Sequence, residues 1–299
     1  MSVMQQAVAQ INSVILGKDQ QVRLAVVCLI ANGHLLIEDL PGMGKTTLSH
    51  ALARVFGLKY SRIQFTSDLL PADVIGVSVF EKNPETGKNG FRFHRGPVFA
   101  QVVLADEINR ATAKSQSALL EAMEERQVTV EGRTLKLPDP FFVIATQNPT
   151  SQAGTFPLPE SQLDRFLMSI SLGYPDEMAE RALLEGRSTR ADLHQVSSVV
   201  SPEDLHGLRV RLEAVRASAA VIDYVQRLLA FSRYEGGFPQ GLSPRAGIAL
   251  VRVARAWALM HDRDYLIPED VQAVLPAVTD HRLGAGAGQK MLNHVRVLA

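Results

Sequence analysis

The chain has one cysteine, Cys28, and no surplus of either charge, since 31 lysines and arginines balance 31 aspartates and glutamates. A single thiol forms no intramolecular disulfide and has no partner for a metal cluster. It lies in the run "LAVVCLIA", between Arg23 and Asn32, where it reads as a small buried hydrophobe. The zero balance removes any global electrostatic case for nucleic acid or an acidic membrane surface, so a nucleic-acid motor is disfavoured. Long apolar runs are missing as well, and the stretch around Cys28 is far too short to cross a bilayer. The opening "MSVMQQAVAQ" lacks the basic region and apolar core of a secretory signal. There is no repeat and no low-complexity tract. These absences lead to the expectation of a cytoplasmic protein with no membrane span.

What is present is ordinary for a globular protein. The 299 residues are 46% hydrophobic and 21% charged, a size at which a second domain is expected. In the first half, short apolar runs alternate with helical patterns, which predicts a parallel sheet covered by helices. "HLLIED", "KYSRIQF", "FAQVVLADE" and "FFVIATQN" are the strand candidates, and "KTTLSHALARVF" the helix after the first of them. Two inserts interrupt this order. One reads as two strands about a turn at Asn83 to Gly90; the other, "QVTVEGRTLKLPD", reads as a hairpin turning at Glu131-Gly132. The second follows an amphipathic helix, "TAKSQSALLEAMEER". From about Asp176 the helical period dominates, as in Val221, Tyr224, Val225, Leu228 and Leu229. Ser201-Pro202 and Ser243-Pro244 each supply an N-cap and a first-turn proline. The expected division is an α/β core over 1–175 and an all-helical domain over 176–299, with the boundary at Gly173-Tyr174-Pro175.

Three features point to a nucleotide. The first is "EDLPGMGKTT", which has the spacing of a phosphate loop except that Asp39 stands where the first glycine belongs. Gly42 and Gly44 let backbone N–H groups approach phosphate oxygens, and the next helix aims its N-terminus at them. The expected ATP-binding residues are Pro41, Gly42, Met43, Gly44, Lys45, Thr46 and Thr47. Lys45 would reach the β- and γ-phosphates, and the Thr46 hydroxyl would hold Mg²⁺. A carboxylate about 4 Å from a phosphate charge would cost roughly 4 kcal/mol at an effective dielectric near 20. Asp39 is therefore expected to point away from the phosphates.

The second feature is "VVLADE", an apolar strand ending in Asp106, placed to hold Mg²⁺, and Glu107, placed to activate an attacking water. By itself such a pair could be a solvated strand end; its order after the loop argues otherwise. The third is "IATQNP", where Asn148 can orient that water or simply begin a turn before Pro149.

With "DLPGMGKTTL", "ADEINRATAKSQSALLEAMEERQVTV", "ATQNP", "FPLPESQLDRF" and "LSPRA", the chain resembles the MoxR family of AAA+ ATPases along nearly its whole length. The resemblance implies an α/β ATPase core with a helical lid, hydrolysis of ATP to ADP with Mg²⁺, and assembly into a homo-oligomeric, hexameric ring. It implies that the inserts are those of the helix-2-insert branch. It implies that Arg165 in "LDRF" is an arginine finger, against the plainer reading of a pair with Asp164 or Glu160. It makes Arg245 in "LSPRA" a sensor, against a surface salt bridge. "VILGKDQQ" is similar to the segment lining the adenine pocket, which nominates Ile15, Leu16 and Gly17. The implied task is chaperone-like remodelling or maturation of a client protein complex. Metal or cofactor insertion and a von Willebrand factor A domain partner belong to that expectation. A chelatase motor subunit, or a nucleotide switch that does not hydrolyse, are the alternatives.

Overall fold

The computed structural model describes residues 2–82, 88–148, 155, 158–186, 193 and 195–297. The expected turn at Asn83 to Gly90 lies partly outside them, as do Pro149 and the Phe156-Pro157 start of "FPLPESQLDRF".

Two helices precede the sheet, α1 (Val3–Asn12) and α2 (Asp19–Ile30). Eight of the twelve residues of α2 are buried, with Cys28 fully so, and burial pushes its thiol up, away from reactivity. The strands are β1 (Leu35–Glu38), β2 (Tyr60–Gln64), β5 (Val102–Asp106), β8 (Phe142–Gln147) and β9 (Met168–Ile170). They form one parallel sheet in the order β2-β5-β8-β1-β9. Alternation along each strand sends side chains to opposite faces. Leu35, Ile37, Val102, Leu104, Phe142 and Ile144 meet α2 and α3 (Lys45–Val55). Leu36, Val103, Ala105, Val143 and Ala145 meet Leu119, Leu120 and Met123 of α5 (Ala113–Glu125). A sheet covered on both faces explains why its strands read as unbroken apolar runs.

The inserts are both antiparallel hairpins. After α4 (Pro71–Ile75), β3 (Gly76–Lys82) pairs with β4 (Asn89–Arg95). Later, β6 (Gln127–Val130) pairs with β7 (Arg133–Lys136). Their two-residue turn has Glu131 at φ 51° and Gly132 at φ 75°, the left-handed pair such turns require.

Following α6 (Glu160–Leu163), the described chain past β9 is helical: α7 (Glu177–Leu184), α8 (Pro202–Ala214), α9 (Ala219–Ala230), α10 (Pro244–Met260), α11 (Pro268–Leu283) and α12 (Ala287–His294). Ser201 and Ser243 accept from Asp204 N and Ala246 N, so both serve as N-caps. Val221, Tyr224, Val225 and Leu228 form the buried stripe of α9. Helices α8 to α12 share one apolar cluster with α2 and a face of the sheet. At the open edge beyond β9, Arg282 Nη2 and His281 Nε2 of α11 reach Phe166 O, at 2.8 and 3.3 Å. No helix among the described residues is long and apolar enough to cross a membrane.

Candidate nucleotide site

β1 runs into the loop 39–44, and the loop runs into α3. Gly42 and Gly44 have φ 86° and 90°, and a Cβ at either would meet nothing within 4 Å. Glycine is therefore required here by backbone conformation rather than by crowding. No side chain caps α3, so its first N–H groups remain available to an anion. Lys45 donates to Asp39 O at 2.7 Å and to Asn148 Oδ1 at 3.4 Å. Burial lowers its pKa, while the charges of Asp39, Asp106 and Glu107 oppose that shift.

The Asp39 carboxylate turns away from this loop. Oδ2 accepts from the backbone N–H groups of Leu172 and Gly173, each at 2.7 Å, and from Ser171 Oγ at 3.3 Å. Oδ1 accepts from Leu40 N at 2.9 Å. The variant residue thus clamps the chain just after β9, where the sheet gives way to helices.

At the end of β5, Asp106 Oδ1 accepts from Thr146 Oγ1 at 2.6 Å, and Oδ2 from Arg62 Nη2 at 2.6 Å. Glu107 adopts the left-handed φ of 56°, with its N–H on Thr146 Oγ1 at 2.8 Å. Its Oε1 accepts from Asn148 Nδ2 at 3.0 Å; its Oε2 accepts from Gln64 Nε2 at 3.1 Å and pairs with Arg110 Nε at 3.0 Å. Asn148 is 2% exposed and therefore bridges Lys45 to Glu107 inside the protein. A cavity of about 290 Å³ gathers Pro41, Gly42, Gly44, Lys45, Thr46 and Thr47 with Asp106, Glu107 and Asn148. A larger one of about 700 Å³, between α9 and α10, shares none of these residues and has no carboxylate pair.

Other nominated residues lie elsewhere. Met43 packs against the apolar core. Ile15 is buried in that core, and a Cβ on Gly17 would sit 2.8 Å from Ala179 Cβ, so this segment abuts the start of α7. Arg165 and Arg245 are brought together, but away from the phosphate loop. Both meet Glu124: Arg245 Nη2 donates to it at 3.0 Å, and Arg165 Nη2 forms an ion pair with it at 3.1 Å. Neither plainer expectation for Arg165, a pair with Asp164 or Glu160, is what it makes; Asp164 is taken by Arg282 at 2.7 Å.

Arg62, Gln64, Arg110 and Thr146 join the site without a motif that singles them out. "SRIQF" carried one signal, because Arg62 and Gln64 alternate with apolar Ile63 and Phe65 on a strand beside β5. A threonine inside the buried run "FFVIATQN" was another.

A loop of this geometry at the head of a helix, facing a carboxylate pair at the end of a parallel strand one strand away in the sheet, defines a phosphate-loop nucleoside triphosphatase. Residues 34–168 match the ATPase family associated with various cellular activities (AAA), and residues 236–296 match the AAA lid domain. YeaC of Bacillus subtilis is 46% identical over 277 residues, covering 93% of this chain and 85% of its own. Chaperone MoxR1 of Mycobacterium tuberculosis is 41% identical, over 94% of this chain and 75% of its own. Protein MoxR of Paracoccus denitrificans is 35% identical, over 93% and 87%. The crystal structure of a presumed ATPase from Cytophaga hutchinsonii superposes with a TM-score of 0.88 at 36% identity, covering 98% of this chain and 94% of that one. The chain belongs to the MoxR family of AAA ATPases.

Proposed function

We propose that this ATPase works as a homo-oligomeric ring, with residues 1–175 as the catalytic core and 176–299 as the lid, and that it remodels a partner protein complex. The observation that carries the chemistry is the relay Lys45–Asn148–Glu107 in the phosphate cavity, with Lys45 and Asn148 buried and Glu107 partly so. ATP would lie with its β- and γ-phosphates on the loop N–H groups and on Lys45, and with its adenine toward Ile15, Leu16 and Gly17. Glu107 would take the proton of the attacking water, oriented by the Asn148 amide, giving ADP and phosphate.

The donor set suits Mg²⁺, which takes one or two carboxylates plus phosphate and keeps several waters. The Thr46 hydroxyl and the Asp106 carboxylate line the same cavity and would hold it. Bound there, the ion would neutralise charge developing on the phosphates. Arg62 would have to share or yield its oxygen on Asp106.

Arg165 and Arg245 line a different cavity from the phosphate loop. That separation supports a reading in which both act on the nucleotide of a neighbouring copy. Such fingers contribute on the order of 10³–10⁵ in rate. A hexamer is the ring size that the family resemblance implies. The remodelling role leans on the chaperone name of the Mycobacterium relative. A partner with a von Willebrand factor A domain, and a part in metal or cofactor insertion, are extensions of it.

The test is Glu107→Gln, expected to bind ATP and hydrolyse it negligibly, beside Lys45→Ala, expected to lose binding. Unchanged turnover in the glutamine variant would refute the assignment. Affinity capture on the ATP-trapped Glu107→Gln protein, comparing ATP with ADP, then identifies the partner.

A further inference from the structure

Glu124 is the last but one residue of α5, and it joins two arginines from different elements. Arg165, in the turn between α6 and β9, meets Oε2; Arg245, in the first turn of α10, meets Oε1. The cavity they line, about 380 Å³, has three further arginines in its wall, Arg126, Arg252 and Arg282, and only one other acid, Asp164. Asp164 is engaged by Arg282 Nε and by the N-cap Ser243 Oγ at 3.3 Å. Glu124 is therefore the carboxylate that pairs with both Arg165 and Arg245.

We propose that Glu124 is a positioning residue for ATP hydrolysis, holding Arg165 and Arg245 as a pair spaced to receive a phosphate from a neighbouring copy. The inference rests on the reading of these two arginines as groups that act across the interface. Four features support it. One carboxylate presents two oxygens to two guanidiniums, the arrangement a phosphate would repeat. Each arginine uses one terminal nitrogen on Glu124, leaving the rest of its donor fork for a second anion. Both contacts are single and partly exposed, the weak kind of ion pair that an incoming phosphate can displace or share. Ser243, bonded to Asp164, pins the start of α10 beside the Arg165 turn, so the pair is set by two elements held together.

Isosteric Glu124→Gln keeps an acceptor for one arginine only. Its kcat should fall by about tenfold to a hundredfold, the scale of a misplacement on the order of 1 Å. The KM for ATP should move by less than about threefold, because the nucleotide binds on the subunit's own loop. Mixing decides where the defect acts. Glu124→Gln subunits mixed equally with Glu107→Gln subunits should regain activity, since about one quarter of head-to-tail interfaces then combine an intact site with an intact arginine pair. Glu124→Gln mixed with Arg165→Ala should regain nothing, because no interface is complete.

Wild-type kcat in Glu124→Gln, or no rescue by Glu107→Gln where Arg165→Ala is rescued by it, would overturn the proposal. If Arg165→Ala itself keeps full turnover, the interface reading falls first, and that result is distinct. Should Glu124→Gln not assemble, Glu124→Asp, which withdraws the charge by one methylene, goes through the same mixtures under the same criteria.

Discussion

Replacing Asp39 separates two accounts of the variant loop. As a misplaced charge at the phosphates it would weaken ATP binding by roughly 4 kcal/mol at 4 Å and an effective dielectric near 20, close to a thousandfold. As a clamp it has another role. Its Oδ2 satisfies the N–H groups of Leu172 and Gly173, and Leu172 is 1% exposed. In Asp39→Ala both donors lose a charged acceptor, at about 1–3 kcal/mol each. Gly173 is only partly buried and can recruit water, so the sum should be about 3–4 kcal/mol. At about 2–3 °C per kcal/mol for a chain of this size, the melting temperature should fall by roughly 6–12 °C. The assay pairs thermal unfolding followed by circular dichroism with titration of a fluorescent ATP analogue. Affinity should change by no more than severalfold, through the modest influence of Asp39 on the charge of Lys45. An Asp39→Gly protein that melts like the wild type and binds ATP hundreds of times more tightly would refute the clamp.

Other outcomes follow from the same structure. Gly44→Ala meets no steric obstacle but must hold φ 90°, so it should cost about 1–2 kcal/mol in stability and weaken ATP binding, read in the same titration. Equal mixtures of Arg165→Ala and Glu107→Gln subunits should turn over ATP faster than either alone, and no gain at any ratio would count against action across the interface. His34 and His281 are buried, with burial pushing their pKa values down to about 4 and about 3. Their folded values lie below the ordinary 6.5, so the stability tied to their neutral form is present above pH 6.5 and lost as pH falls. Urea denaturation should show a loss approaching 1.4 kcal/mol per pH unit per histidine between about pH 6 and 4. His281→Leu should flatten that slope, and equal slopes in both proteins would contradict the account.

The fold was legible where its determinants are local. Strands buried on both faces announce themselves as apolar runs, α5 and α9 by their period, and the β6–β7 turn by Glu131-Gly132, because neighbours in sequence dictate those conformations. The same locality explains why the loop, the carboxylate pair and Asn148 could be nominated together, each standing at the C-terminal end of a strand in the parallel sheet. β1, β5 and β8 are adjacent, so their ends converge on one cavity.

By itself the sequence determined the parallel α/β core, the helical region after it, and the residue types that can carry phosphate chemistry. Only the tertiary structure decided where the charged side chains point. Asp39 finds its donor partners 132 to 134 residues away, after β9. Arg62 and Gln64 reach Asp106 and Glu107 across a strand pair, and Arg165 and Arg245 share Glu124 rather than the phosphate loop. The reason is physical. Hydrophobic period and turn chemistry act over a few residues, whereas a charge takes whichever partner the packed elements bring within about 3 Å, and packing joins elements without regard to their distance along the chain.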